Sequence, residues 1–339
     1  MKPHNEAPST LCVIWQTAQG QQTDFERQFL CDVVLAATPH EAIFDAASCQ
    51  TPAENAVVVY SSFDAHPPTA LLAYLARSPG HSLVHTGDER LQHDWSHYRA
   101  ARVVFRSYYD PRQRQNHVFT LPLGFQSGFL NEAGPVALDA KDMIWCFAGQ
   151  LKSHRKKMVA VLSEFSPGKV HLTSQWSDPE AIAPTAMAAL YARTIFAPCP
   201  FGFRNPDSFR VMESLEGGCI PVVLSFLGED YFRFIYGEHP FIVARSWARA
   251  AAEMRGLLAD PGRLRERQVA VADWYARFKS DLALDVRDIF QGAAREDLRS
   301  SQFRFQNEGM KPATVRRYFL YFGRGLIRRL FRRLALTLN

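Results

Sequence analysis

Apolar residues in this chain come in short runs, with polar stretches between them long enough for a crossover helix. In the first 125 residues the runs Leu11 to Trp15, Val33 to Ala36 and Ala56 to Tyr60 predict strands. Thr69 to Arg77 has helical spacing and ends at Ser78-Pro79-Gly80. A strand at Ser82-Leu83-Val84 then leads into the polar loop His85-Thr86-Gly87-Asp88-Glu89, and Ala101 to Phe105 and His117 to Leu123 complete a predicted α/β half over 1–125.

Residues 126–142 show little periodicity and contain Gly128, Gly134 and Pro135, which suits a linker. The pattern then restarts. Strands are predicted at Met143 to Ala148, Val170 to Thr173 and Thr194 to Ala197, with helices at Ser153 to Phe165 and Pro184 to Tyr191. The segment from Pro198 to Val223 reads as strand end, polar loop, a helix from about Ser208 to Glu216, a Gly217-Gly218 stop and a strand at Cys219 to Leu224. Trp247 to Leu258 and Pro261 to Phe290 are long amphipathic helices that close a second α/β half over 143–306.

Composition narrows the class. At 339 residues, with 47% hydrophobic and 22% charged residues, the chain is an ordinary globular one of about two domains. No run nears the about 20 apolar residues of a membrane span, and the N-terminus lacks the apolar stretch of a secretory signal, so a cytoplasmic location is expected. Six scattered cysteines form no C-x-x-C pair, and the His93/His97 pair lacks the intervening glutamate of a zincin helix; no metal site is expected. A G-x-G-x-x-G fingerprint is also absent, which counts against an oxidoreductase.

The net charge of +5 divides unevenly. From Gly309 onward there are eight basic residues and no acid, leaving −3 on the preceding 308 residues. On a helical projection Tyr318, Phe319, Phe322, Leu326, Ile327, Leu330, Phe331 and Leu334 gather to one side, and the arginine pairs 328–329 and 332–333 lie toward the other. A basic amphipathic helix of this kind suits an anionic membrane surface through 314–339; packing on the body and nucleic-acid binding are the alternatives, and nucleic acid is not the expected partner.

In open α/β sheets ligands sit beyond the carboxyl ends of strands, where a helix N-terminus offers unpaired amides to an anion. The unit 198–223 has that form. Asp207 or Ser208 caps its helix; Ser208 with Arg204 or Arg210 is suited to a diphosphate, and Glu213 to the hydroxyls of a ribose. The same residues also read as an ordinary capped helix with an Arg210–Glu213 surface pair.

The motifs Cys199-Pro200-Phe201-Gly202, Ser208-Phe209-Arg210 with Glu213, and Gly218-Cys219-Ile220-Pro221-Val222-Val223 resemble, in composition and order, the donor-binding half of the exostosin-like glycosyltransferases. Phe147-Ala148-Gly149 followed by Arg155 is similar to the family's opening of that half, Leu121-Pro122-Leu123-Gly124 to the close of the first half, and His85 to Glu89 with Arg106 and Tyr108-Tyr109 to pieces of its acceptor half. The resemblance implies a GT-B fold, two Rossmann-like domains across a cleft, and transfer of a sugar from a nucleotide-sugar, with a uridine diphosphate donor expected, to a glycan or lipid-linked acceptor. It further implies donor contacts from Gly149, Arg155, Arg204, Ser208, Arg210 and Glu213. Asp88, Glu89 and then His85 are the candidates for the base that takes the acceptor proton. No D-x-D sequence occurs, so metal-independent chemistry without a cofactor is expected, at the inner face of the membrane. Where many relatives carry an aspartate after the G-C-I-P-V-V strand, Ser225 and Phe226 stand here. A silent glycan-binding scaffold and a nucleotide-sugar epimerase or hydrolase are the rival functions on this fold.

Overall fold

The computed structural model describes residues 10–15, 25–44, 55–61, 69–77, 80–92, 95–113, 115–130, 136–152, 154–175 and 178–321. Eleven strands among them form two sheets, each wholly parallel. The first comprises β1 (Leu11–Trp15), β2 (His40–Phe44), β3 (Ala56–Ser61), β4 (Ser82–Thr86), β5 (Val103–Ser107) and β6 (Val118–Leu121), in the order β2-β1-β3-β4-β5-β6. The second comprises β7 (Met143–Gly149), β8 (Gly168–Leu172), β9 (Thr194–Pro198), β10 (Ile220–Leu224) and β11 (Ile242–Ala244), in the order β11-β10-β9-β7-β8. The central strands β4 and β5 are buried throughout, and β3 is buried over 56–60, where it reads as an apolar run, as expected when both faces of a parallel sheet are covered.

Helices α2 (Thr69–Arg77), α4 (Pro184–Ala192), α5 (Phe209–Glu216), α7 (Trp247–Leu258) and α8 (Pro261–Phe290) lie where periodicity puts them, with α1 (Arg27–Phe29), α3 (His154–Leu162), α6 (Arg233–Tyr236) and α9 (Ser301–Glu308) between and after them. Val33 to Ala36 is not a strand. It lies in a wide helical turn, Leu30–Val34, continuing α1 and closed by a Leu35 N–H to Leu30 O bond of 2.9 Å. Phe29, Leu30, Val33 and Val34 are thereby buried on one side, against α8, a spacing helical rather than alternating. The edge strand is β2 instead, whose sequence His40-Glu41-Ala42-Ile43-Phe44 carries two polar residues and little apolar signal.

The closing segment does not stay with the second sheet. Phe290 meets Phe105 edge-on at 5.4 Å, Phe303 meets Phe119 at 5.4 Å, and Gln306 pairs its amide with both backbone groups of Thr120 at 2.9 and 2.8 Å. The end of α8 and all of α9 thus strap the second half to the first. Lys141, in the link between the halves, donates to the carbonyls of Ala192, Thr194 and Gly217 at 2.8, 3.0 and 3.1 Å, and burial lowers its pKa. No helix among the described residues is long and apolar enough to cross a membrane, and the five cysteines among them are free.

Candidate functional site

The carboxyl ends of the two sheets face each other, and their loops meet. Glu89, after β4, accepts through Oε1 from the amides of Phe203 and, at 3.0 Å, Arg204 on the loop that leaves β9. Leu123, after β6, donates its N–H to Asp207 at 3.1 Å. Tyr231 donates its hydroxyl to the Tyr109 carbonyl at 2.9 Å, and Phe25 packs on Phe209, the first residue of α5, at 5.1 Å.

On the second-sheet side of this cleft, α5 begins at Ser208, which has the extended backbone of an N-cap. Its hydroxyl does not cap: Ser208 is 6% exposed, and its Oγ has no hydrogen-bond partner. A buried hydroxyl without a partner costs about 1–3 kcal/mol, which an acceptor at this position would recover. Asp207 takes the structural part instead, accepting from Ser208 N–H at 3.0 Å, from Tyr236 at 3.1 Å and from Leu123; burial pushes its carboxyl up to about 7 against those bonds.

Two guanidiniums stand around the same helix start. Arg210 lies across the end of β7, its Nε and Nη2 on the Ala148 carbonyl at 3.2 and 2.7 Å. Gly149 makes room for it: a Cβ there would sit 2.4 Å from Nη2, and the residue's φ of +137° suits glycine. Arg155 reaches the carbonyls of Phe201 at 2.8 Å and Gln150 at 3.3 Å. Burial and then the neighbouring Arg210 charge lower its pKa to about 10. Among the described residues neither these two nor Arg204 forms a direct ion pair, although Glu213 interacts with Arg210 and Glu89 with Arg155 at longer range, and positive charge gathers beside a helix N-terminus. Glu213, one turn into α5, is half-buried and accepts no hydrogen bond among them; burial pushes it up to about 7, opposed by Arg210. All six donor-side candidates therefore lie around the start of α5.

The three base candidates separate. His85 is interior, 1% exposed, with Nδ1 at 2.5 Å from the Tyr98 hydroxyl and its ring stacked on Tyr60 at 4.4 Å. Asp88 is 2% exposed and holds Arg106 (3.0 Å) and the Trp95 indole (3.2 Å) through Oδ2 and the Gln92 amide (3.0 Å) through Oδ1, so both its oxygens are engaged. Only Glu89 reaches across the cleft, half-buried. Its approach sets Gly202, where a Cβ would sit 2.3 Å from Oε1.

Two further groups belong to this place. Glu26, 7% exposed beyond the end of β1, lies within electrostatic reach of Tyr108, as Glu89 and Asp207 do; burial pushes its carboxyl up to about 8. Tyr108 holds a left-handed φ of +62° that a non-glycine residue adopts only under local constraint. Nothing in the sequence marks Glu26, because a single acid in a polar stretch has no pattern. Two surface cavities lie elsewhere, about 360 Å³ beside Arg245 and Arg249 and about 580 Å³ between Phe119, Phe290 and Arg295. Neither of these two cavities adjoins the start of α5, and the candidate site rests on charge and polar groups instead.

No family model and no curated protein matches the sequence. Solved structures do match in three dimensions. Anabaena HepE in complex with UDP-glucose aligns over 84% of this chain and 100% of its own, at 11% identity and a TM-score of 0.51. The DNA-modifying enzyme β-glucosyltransferase, solved in the presence and absence of uridine diphosphoglucose, aligns over 84% and 99%, at 12% identity and a TM-score of 0.50. The chain has the GT-B fold. The expected architecture, two Rossmann-like halves across a central cleft, is the observed one.

Proposed function

We propose that this protein is a glycosyltransferase of exostosin-like type that moves a sugar from a nucleotide-sugar, a uridine diphosphate sugar first, to a glycan or glycolipid. The observation that carries this reading is the buried Ser208 hydroxyl, without a hydrogen-bond partner, at the start of the helix that carries Arg210, whose charge is felt by Arg155. A diphosphate gives the Ser208 hydroxyl the acceptor it lacks and offers charged acceptors to guanidiniums that otherwise donate only to backbone carbonyls. The two GT-B structures above were solved with UDP-glucose or its uridine diphosphoglucose equivalent, which makes that donor the first to try.

In the reaction the acceptor oxygen bonds to the anomeric carbon while the bond from that carbon to the phosphate oxygen breaks, and the nucleoside diphosphate leaves with the electron pair. Arg155, Arg204, Arg210 and the amides of α5 face the charge that develops on it. Glu213 takes hydroxyls of the ribose. Glu89 receives the acceptor proton: its Oε1 is fixed by two amides of the donor loop, and its Oε2 makes no hydrogen bond among the described residues. Asp88 positions Arg106 instead. Because guanidiniums and helix amides supply the charge, transfer proceeds without a metal ion.

The test is release of UDP from UDP-glucose and related donors over a panel of saccharide acceptors, with and without EDTA. Turnover indifferent to EDTA, and reduced about 10²-fold or more in Glu89→Gln with donor affinity retained, is the expected result. Undiminished turnover in Glu89→Gln removes the base assignment. Acceptor-independent UDP release points to a hydrolase, and donor binding with no turnover to the silent scaffold.

A further inference from the structure

The basic end of the chain begins at the mouth of the cleft. A terminal helix over 312–321 follows α9, and its inner side is docked. Thr314 donates its hydroxyl to Glu229, which also takes the Lys311 amide at 3.3 Å; Arg317 donates to the Leu227 carbonyl at 3.3 Å. Tyr318 is buried and donates to the Tyr109 carbonyl at 3.3 Å, across the cleft from the second sheet. Phe226 presents its ring to Tyr321 at 5.1 Å and to Phe201 at 5.7 Å, and Phe201 is the residue whose carbonyl holds Arg155. Glu89 and Arg204 lie within electrostatic reach of Tyr321. The helix is therefore part of the rim through which an acceptor approaches Glu89.

Its outer side exposes two adjacent large apolar residues. Phe319 and Leu320 are 50% and 55% exposed, flanked by the exposed Arg316 and Arg317, and Phe203 on the neighbouring donor loop is 58% exposed. Beyond it the sequence continues with Phe322, Leu326, Ile327, Leu330, Phe331 and Leu334 among Arg324, Arg328, Arg329, Arg332 and Arg333, with no acid after Glu308. Apolar side chains offered to solvent beside an acid-free basic run match an anionic bilayer in both respects, insertion and charge. Nucleic acid would answer the charge and stack on Phe319, but has no use for an exposed Leu320.

We propose that the outer face of this helix, around Phe319 and Leu320, seats the cleft mouth on an anionic phospholipid bilayer. On the glycosyl-transfer reading above, this brings lipid-linked saccharides within reach of Glu89; the surface itself does not depend on that reading.

The full chain is sedimented with vesicles of phosphatidylcholine, with and without phosphatidylglycerol, as wild type and as Phe319→Asp with Leu320→Asp. Expected are binding to the phosphatidylglycerol vesicles alone, weakened by salt, and a loss of about tenfold or more in the double variant, whose UDP affinity by calorimetry is unchanged. Hydrogen exchange in the loop 201–205 slows on the vesicles, while that at 292–297, on the far edge of the first sheet, does not. Wild type left in the supernatant overturns the proposal, as do equal binding by the double variant and unaltered exchange at 201–205. Displacement from the vesicles by a short oligonucleotide, with the double variant binding that oligonucleotide as well as wild type does, assigns the basic surface to nucleic acid instead. Absence of UDP binding in the wild type counts against the donor reading and leaves the vesicle result standing.

Discussion

Ser208 and Asp207 are adjacent, similarly buried and opposite in function. Asp207 spends both oxygens on the protein, joining Leu123 of the first half to Tyr236 and Ser208 of the second, whereas the Ser208 hydroxyl spends nothing. Ser208→Ala should therefore leave the melting temperature unchanged or slightly raised and weaken nucleotide binding about tenfold, the size of one charge-assisted hydrogen bond. Glu213 gives a pH signature. With its carboxyl pushed up to about 7 in the free protein, it is protonated below that pH and loses acceptor capacity, so nucleotide affinity should fall more steeply between pH 8 and 6 in wild type than in Glu213→Gln, which keeps Asp207. Glu26 governs stability instead. Its folded pKa of about 8 lies above the unfolded value of about 4.3, so the folded state holds a proton that the unfolded state has lost. Stability from this group is complete below the unfolded value and is lost as pH rises through 8, amounting to a few kcal/mol. Thermal melts of Glu26→Gln should show a shallower decline over that window than wild type; parallel curves would contradict the assignment.

At the scale of elements, the second half was the more legible because its strands and helices alternate with sharp stops. The boundaries of α7 and α8 follow from amphipathic spacing alone, and α5 from a capping residue at one end and Gly217-Gly218 at the other. The placement of Ser208, Arg210 and Glu213 at α5 was readable for the same reason, since a strand, a polar loop and a helix in succession fix where the loop must lie. The acceptor side was not. His85 looked like the start of the polar loop but is the fourth residue of β4, stacked inside, and Asp88 proved to be the partner of Arg106, which sequence distance conceals. The Val33 to Ala36 run misled because four apolar residues fit either period, and packing against α8 decides it. Lys141 illustrates tertiary information without any local pattern. Its ammonium ties the link to two strand connections, so Lys141→Met, which strands three carbonyls, should cost about 2–4 kcal/mol in chemical denaturation. A loss below about 0.5 kcal/mol would show those carbonyls satisfied by water.

For the whole molecule, the two halves are not independent beads. Glu89 and Leu123 reach from the first into the donor loop of the second, α9 returns to the first sheet, and the terminal helix closes over the junction through Tyr109 and Phe226. On the proposed reading, donor binding at α5 is felt at Glu89, because the loop that carries Arg204 is the one Glu89 holds. The fold is GT-B, and the proposed chemistry rests on one place: the start of α5, with Arg210 and a Ser208 hydroxyl that has no hydrogen-bond partner. Calorimetric titration with UDP, alongside GDP, CMP and ADP, on wild type and on Arg210→Ala tests that claim most directly. Selective UDP binding that falls by at least about tenfold in Arg210→Ala is the predicted result. Binding of none of the four nucleotides by the wild type, or full affinity in Arg210→Ala, would contradict it.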